Sequence, residues 1–412
     1  MFSKIKSEYV LLLIAIIWLF FFSFVLQLSP GFSLVGDDGT YLFAAKKLYL
    51  DHQLDDSRPL LINAINGFPL LFGYGDAAVV GWSNVINISC WLLTSLLVFK
   101  ILAQQFTRRT AFIAAVLFIF CIGNVANAFN VLSEPIFICM LLFAVFCIGK
   151  QAKSNNYKYI TLALSVLTLA ILVKPIAVGL VGIVALFHLK KYKEIIFNKY
   201  FALLLVALSL VVFQLYSMKK QYGDYTISYV SSITFYNYLG GKADCLKKNI
   251  EFIPGENKRT KHFNQFSTHE QKKISNNDFK EQLQNNTVNL VKAYAFCIYS
   301  NSSKGSFIVS ECKNENRTSY FDSFHFLFKA VSKVQNIVFT IVGVLLSFFV
   351  LLRKKNETVF HQMIAAMIVY IFFISAMSCW QCDRFHIVFF PLVIVLGIAF
   401  FDKKRTKIIA KK

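Results

Sequence analysis

Long apolar runs, separated by short basic punctuation, dominate the chain. Ten such runs can be marked, at 9–28, 77–99, 110–126, 135–149, 159–173, 176–188, 200–217, 332–352, 359–377 and 386–401. A helix of about 20 apolar residues matches the hydrocarbon thickness of a bilayer, so the pattern predicts about ten membrane crossings. The pair around Lys174 is the exception: each arm holds only about 13 to 15 residues, short of a full span, so a re-entrant hairpin is the alternative there. The first run lacks a small-residue cleavage site and reads as a retained signal anchor.

Two polar stretches interrupt the runs, at 29–76 and at 219–329. The expected organisation is an N-terminal membrane part over 1–218, an outer-face loop domain over 219–330, and C-terminal membrane helices with a basic tail over 331–412. Following Gly36, Asp37 and Asp38, the positions Leu42, Ala45 and Tyr49 recur at helical spacing, which predicts a short helix lying in the membrane interface.

Composition agrees with a membrane protein. Of 412 residues 56% are hydrophobic and 44 are Phe, more than a soluble domain of this size carries. The formal net charge is +21, but the cations sit at the ends of apolar runs, where they report topology rather than a nucleic-acid surface. The clusters Lys4/Lys6, Lys100 with Arg108/Arg109, Lys150/Lys153/Lys158, Lys190/Lys191/Lys193, Arg353/Lys354/Lys355 and the tail 403–407 read as cytoplasmic, which places both termini inside. The long 219–329 stretch is rich in lysine, yet long translocated loops escape that rule.

Nine cysteines show no repeated metal-ligand spacing. Cys245, Cys297 and Cys312 allow one disulfide in the outer loop, or none. Cys379 and Cys382 form a single C-x-x-C, weak as a metal or redox motif. The sequons at Asn285, Asn301 and Asn316 leave a eukaryotic endomembrane open beside a bacterial inner membrane, towards which the Lys, Asn, Ile and Phe content leans.

The candidate chemistry collects on the outer face. Asp37 or Asp38 is placed to act as a general base at headgroup level, the alternative being a helix cap, for which Asp38 is the better positioned. In Leu132-Ser133-Glu134-Pro135, Ser133 capping and Pro135 opening a helix would explain the order, and Glu134 is a candidate substrate or ion contact. Lys174 interrupts about 30 apolar residues and is either a phosphate-binding cation or a snorkelling one. Arg384, in Asp383-Arg384-Phe385, suits bidentate phosphate binding unless it merely pairs with Asp383. Trp380 reads as an interfacial anchor, and Arg58 is a further outer cation. Exposed cations on the face that the charge rule leaves poor in them call for a partner, and an anionic lipid headgroup supplies one.

These motifs, in this order and on one side, resemble the GT-C superfamily of integral membrane glycosyltransferases that use polyprenyl-phosphate sugars. The resemblance implies a GT-C-like all-α fold, a base at Asp37 or Asp38, and donor-phosphate contacts from Lys174, Arg384 and Arg58. Protein O-mannosyl and lipid A aminoarabinose transferases of that superfamily are longer and carry their large outer domain at the C-terminus. The architecture looks more like serotype-converting O-antigen glucosyltransferases. The implied reaction is inverting transfer of a hexose, glucose favoured, from undecaprenyl phosphate to a cell-surface glycan at the periplasmic face. It would require no cofactor, a divalent metal staying open as an alternative. The implied partners are the lipid-linked sugar donor, a glycan or lipid-linked glycan acceptor, the bilayer, and a donor synthase and flippase. Competing readings are a lipid-sugar flippase, which would carry polar groups at the bilayer midplane and often paired repeats, or a non-catalytic envelope subunit indifferent to loss of the aspartates.

Overall fold

A computed structural model describes residues 6–28, 37–255, 257–353 and 358–409, with side chains as far as Phe401. Lys4, Gly36, Lys354 and Lys355 lie outside the described residues, as do the side chains of the tail cations. No strand occurs among the described residues; the architecture is all-helical.

The first apolar run forms α1 (Ser7–Leu26), about 30 Å long at 1.5 Å per residue. Leu11, Ala15, Leu19 and Phe22, one helical turn apart, are buried, whereas Leu13, Ile17, Phe20 and Phe24 on the other face are exposed. A helix apolar on its protein face and on its open face is one whose solvent is hydrocarbon. α2 (Asp38–Tyr49) and α3 (Leu60–Asn66) follow, then the long α4 (Asp76–Leu102). α2 packs on α3: the Tyr49 hydroxyl donates to the Ala64 carbonyl at 2.8 Å, and its ring fills the space a side chain at Gly67 would need.

The run at 110–126 is not one helix. α5 (Arg108–Ile119) stops and α6 (Ile122–Asn127) restarts. Gln335 repairs the break, its Nε2 donating to the Phe120 carbonyl and its Oε1 accepting from the Ile122 amide, both at 2.8 Å. Such a partner is required wherever backbone groups are freed away from water. α7 (Glu134–Ser154) and α8 (Lys158–Ile171) come next, with α9 (Ala177–Phe187) returning from the turn that carries Lys174. α8 and α9 are about 21 Å and 17 Å long by helical rise, shorter than the roughly 30 Å hydrocarbon core.

The short α10 (Tyr192–Ile196) leads to α11 (Phe201–Tyr222). There Gln214, wholly buried in an apolar helix, accepts from the Leu60 amide and donates to the Ile227 carbonyl. The segment after it is α12 (Val230–Thr234), a π-helical turn at Phe235–Leu239, α13 (Gly240–Lys248), α14 (Lys258–Phe263), α15 (Thr268–Asn285), α16 (Thr287–Ser303) and α17 (Phe307–Glu311). A separate apolar core joins Phe235, Leu239, Ala243, Leu290 and Ala293 with Ala376.

α18 (Phe321–Leu352), α19 (Val359–Ser375) and α20 (Phe390–Ile409) close the chain. α18 begins 11 residues before the run marked at 332, so the boundary placed at 331 falls inside it. Phe321 and Phe328 remain buried on its core face, and the intervening polar residues do not stop a helix whose stripe continues. Among the described residues α1, α4, α7, α11 and α18 are long and apolar enough to cross a membrane, and α8, α9, α19 and the apolar part of α20 are shorter.

The two ends of the bundle differ. At one, Gln104 and Gln105 after α4 reach Phe146 of α7 and His361 of α19. At the other, the starts of α2, α3 and α7, the α8–α9 turn and the loop before α20 converge.

Candidate active site

The convergence follows from where helices stop. Pro59 precedes α3 and leaves Arg58 in the bend before it; Pro135 suits the first turn of α7 and puts Glu134 at its first residue; Pro175 keeps Lys174 in a turn. Asp37 precedes α2, and Arg384 lies between α19 and α20.

Glu134 is the hub. Its side chain is 0% exposed, and Oε1 accepts from Lys174 Nζ at 2.7 Å and from Arg384 Nε at 2.6 Å. The Ser133 hydroxyl donates to Oε2 at 3.4 Å and accepts from the Tyr41 hydroxyl at 2.9 Å. Ser133 thus supports the carboxylate and makes no side-chain cap, contrary to the expectation from the S-E-P order. Glu134 is sealed beneath its cations, out of reach of an outside ligand in this state. Lys174 does not snorkel: it pairs, and it stands 5.2 Å from the Phe385 ring centroid.

Arg384 links this hub to Asp37, with NH1 2.5 Å from Oδ2. Arg58 NH2 stands 3.2 Å from the other Asp37 oxygen and donates to Thr40 Oγ1 at 2.7 Å, its guanidinium lying 4.2 Å from the Tyr41 ring centroid. Burial pushes the Asp37 carboxyl up, but Arg384 and Arg58 outweigh that and hold it below the usual carboxylate range. Burial opposes the charge of Arg384, while Glu134 and Asp37 bind its proton more firmly still.

The two aspartates separate cleanly. Asp37 keeps 39% of its side chain exposed and makes no side-chain cap to α2. Asp38 is buried and accepts from Asn130 Nδ2 at 2.8 Å. Asn130 therefore joins α2 to the loop before α7, a role its sequence position did not announce.

Asp383 does not pair with Arg384. It turns the other way, packed on the Gly123 backbone and Ile387, where a Cβ on Gly123 would stand 2.1 Å from Oδ2. Neither carboxylate oxygen has a side-chain partner, and burial raises its pKa to about 7.

The loop carrying Arg384 is held from α16. Cys297 is disulfide-bonded to Cys379, so the cross-link reaches outside the three loop cysteines, and Cys382 stays free. One turn further on, the wholly buried Asn301 donates to the Ser375 and Ser378 carbonyls at 3.0 and 2.7 Å and accepts from the Gln381 amide at 3.1 Å. That burial removes Asn301 as a glycan acceptor. Trp380 stays exposed, with Lys304 Nζ 3.5 Å from its ring centroid.

A small recess, partly open to solvent, is lined by Asp37, Arg384, Asn127, Leu132, Phe307 and Ile308. Among the described residues no group of three His, Cys, Asp or Glu side chains is arranged to hold a metal ion.

All six residues singled out from the sequence thus meet at one end of the bundle, five in one ion-pair network and Asp38 beside it through Asn130. The network offers two guanidinium groups on one partly exposed carboxylate, with a third cation joined through Glu134, a geometry suited to an anionic group next to a hydroxyl to be deprotonated.

The family described as dolichyl-phosphate-mannose-protein mannosyltransferase matches residues 57–217. That stretch contains Arg58, Glu134 and Lys174 but neither Asp37 nor Arg384. Among solved structures, the archaeal oligosaccharyltransferase AglB from Archaeoglobus fulgidus, in complex with an inhibitory peptide and a dolichol-phosphate, is similar at 12% identity with a TM-score of 0.42. The alignment covers 96% of this chain and 51% of that one, so the chain spans about half its length. No curated protein matches the chain.

Proposed function

We propose that this chain is an inverting glycosyltransferase that moves a hexose, glucose favoured, from a polyprenyl-phosphate carrier to a cell-surface glycan such as O-antigen, at the periplasmic face of a bacterial inner membrane. The observation that carries this reading is the network in which Arg58 and Arg384 flank the partly exposed Asp37 while Glu134 ties Lys174 to Arg384. The match over 57–217 to a family named for a lipid-phosphate sugar supports it.

In the free protein Asp37 is a poor base, because two guanidinium groups stabilise its charged form. A lipid phosphodiester entering beside Arg58 and Arg384 competes for their donors and loosens that hold, so the carboxylate becomes more basic as the donor binds. Asp37 then accepts the proton of the acceptor hydroxyl as its oxygen attacks the anomeric carbon. The bond to the phosphate oxygen breaks with inversion, and Arg384 and Lys174, anchored by Glu134, stabilise the charge gained by the departing polyprenyl phosphate. These charges gather at one end of the bundle, which favours chemistry at a surface over carriage through a midplane site.

The test compares Asp37→Asn and Asp38→Asn for transfer from undecaprenyl-phosphate glucose. Asn at 37 keeps the size of the side chain but cannot take the proton, so turnover falls about 10²- to 10⁴-fold with normal expression. Asp38→Asn acts on the Asn130 contact and lowers the yield of folded protein first. Full turnover by Asp37→Asn overturns the assignment.

A further inference from the structure

By its place in the chain α16 belongs to the polar stretch at 219–329, yet its open face is apolar. Val288, Val291 and Tyr299 are 67%, 62% and 68% exposed. With the exposed Ala295 and Lys292 they fall at helical spacing on a single stripe, about 17 Å long by helical rise. The opposite face, with Leu290, Ala293, Cys297 and Asn301, is buried against the protein. A surface helix in water turns polar side chains outward, and this one does not.

The contacts of the buried face fix the depth at which the helix sits. The Tyr294 hydroxyl donates to the Phe373 carbonyl at 2.7 Å, in the last turns of α19, where Phe373 and Ile374 are themselves exposed. Further along, Asn336 Nδ2 of α18 donates to the Asn301 carbonyl at 2.7 Å, and Asn336 lies between Val334 and Val338, both exposed. α18 and α19 are apolar on their open faces as α1 is, so these outward rows meet hydrocarbon. Residues 294–301 therefore run past the lipid-facing rows of two helices, and the open stripe of α16 continues that surface. Lys292 in the stripe and the exposed Lys333 beside Val334 are long enough to lay their stems on apolar surroundings and reach the headgroups.

We propose that α16 is seated in the bilayer, its Val288, Val291, Ala295 and Tyr299 stripe lying at the acyl-chain boundary of the leaflet at the active-site end. Two observations favour a lipid surface over a second copy of this chain. The stripe is continuous with the lipid-facing rows of α18 and α19, and Lys292 in its midst would lose its water to a protein partner but keeps it by reaching the headgroups. The helix that is bonded to Cys379 and accepts the Gln381 amide through Asn301 is then itself held by lipid, which sets the depth of the loop carrying Arg384.

The experiment places photoreactive p-benzoylphenylalanine at Val291 or Tyr299 of the full chain, reconstituted in phosphatidylethanolamine–phosphatidylglycerol vesicles, and identifies the adducts by mass spectrometry after irradiation. Leu345, exposed on α18, is the lipid-facing reference, and Lys248, exposed on α13, the water-facing one. The expected result is lipid adducts at Val291 and Tyr299 as frequent as at Leu345 and several-fold above Lys248. Lipid adducts no more frequent than at Lys248 overturn the proposal. Cross-linking to a second copy in place of lipid also overturns it and assigns the stripe to a dimer face. Tyr299→Trp carries the same test without the bulkier probe: the fluorescence it adds over wild type should be quenched by lipid brominated on its acyl chains, and an added signal that stays unquenched overturns the proposal.

Discussion

Replacing Glu134 with glutamine keeps the side-chain volume and removes the charge that Lys174 and Arg384 share. Both cations are about seven-eighths buried, at 13% and 14% side-chain exposure, and both lie within 2.7 Å of the same Oε1. At an effective dielectric of 20, two unit charges 4 Å apart interact by about 4 kcal/mol. Removing one member of a buried pair costs about 3–5 kcal/mol, because the remaining charge stays desolvated without compensation. Lys174 is then left without an acidic partner beside Arg384, which keeps Asp37, so Glu134→Gln is expected within that range. A fall in thermal unfolding midpoint in detergent is the first readout. Pairing the change with Lys174→Met removes one stranded cation, and the double variant should recover at least about 1 kcal/mol relative to additivity. Weaker binding of the lipid donor should accompany the single change, since Arg384 and Lys174 lose their common anchor. Unfolding of Glu134→Gln at the wild-type midpoint, together with additive behaviour in the double variant, would refute the hub.

Two further expectations concern the supports of the site. Asp383, with its pKa raised to about 7 by burial, binds more protons folded than unfolded between about pH 4 and 7, so its contribution to stability falls as pH rises through that window. Asp383→Asn should therefore be more stable to unfolding than wild type at pH 8, by on the order of 4 kcal/mol at most, and alike at pH 4; a constant difference across pH would exclude the titration. Non-reducing peptide mapping should recover Cys297 joined to Cys379. Cys379→Ser should raise the KM for the lipid donor more than it lowers kcat, because the cross-link fixes the loop that carries Arg384; an unchanged KM would leave the bond a purely structural one.

The sequence by itself determined the helical class, the number of apolar runs, and a shortlist of site residues. Each rested on local physics: a hydrocarbon solvent demands long apolar helices, and an ionisable residue beside one is costly enough to stand out. What a linear pattern does not encode is which groups satisfy one another. That Glu134 serves two cations, that Asp37 and not Asp38 stays exposed, and that Asp383 turns away from its neighbour Arg384 depend on helix ends brought together from positions as far apart as 37 and 384. The break after α5 carries no proline, because Gln335 from a distant helix repairs it. Cys379 was set aside as half of a weak C-x-x-C, since its true partner, Cys297, lies 82 residues away. Burial and pairing are properties of the packed molecule, and only the tertiary structure could decide them.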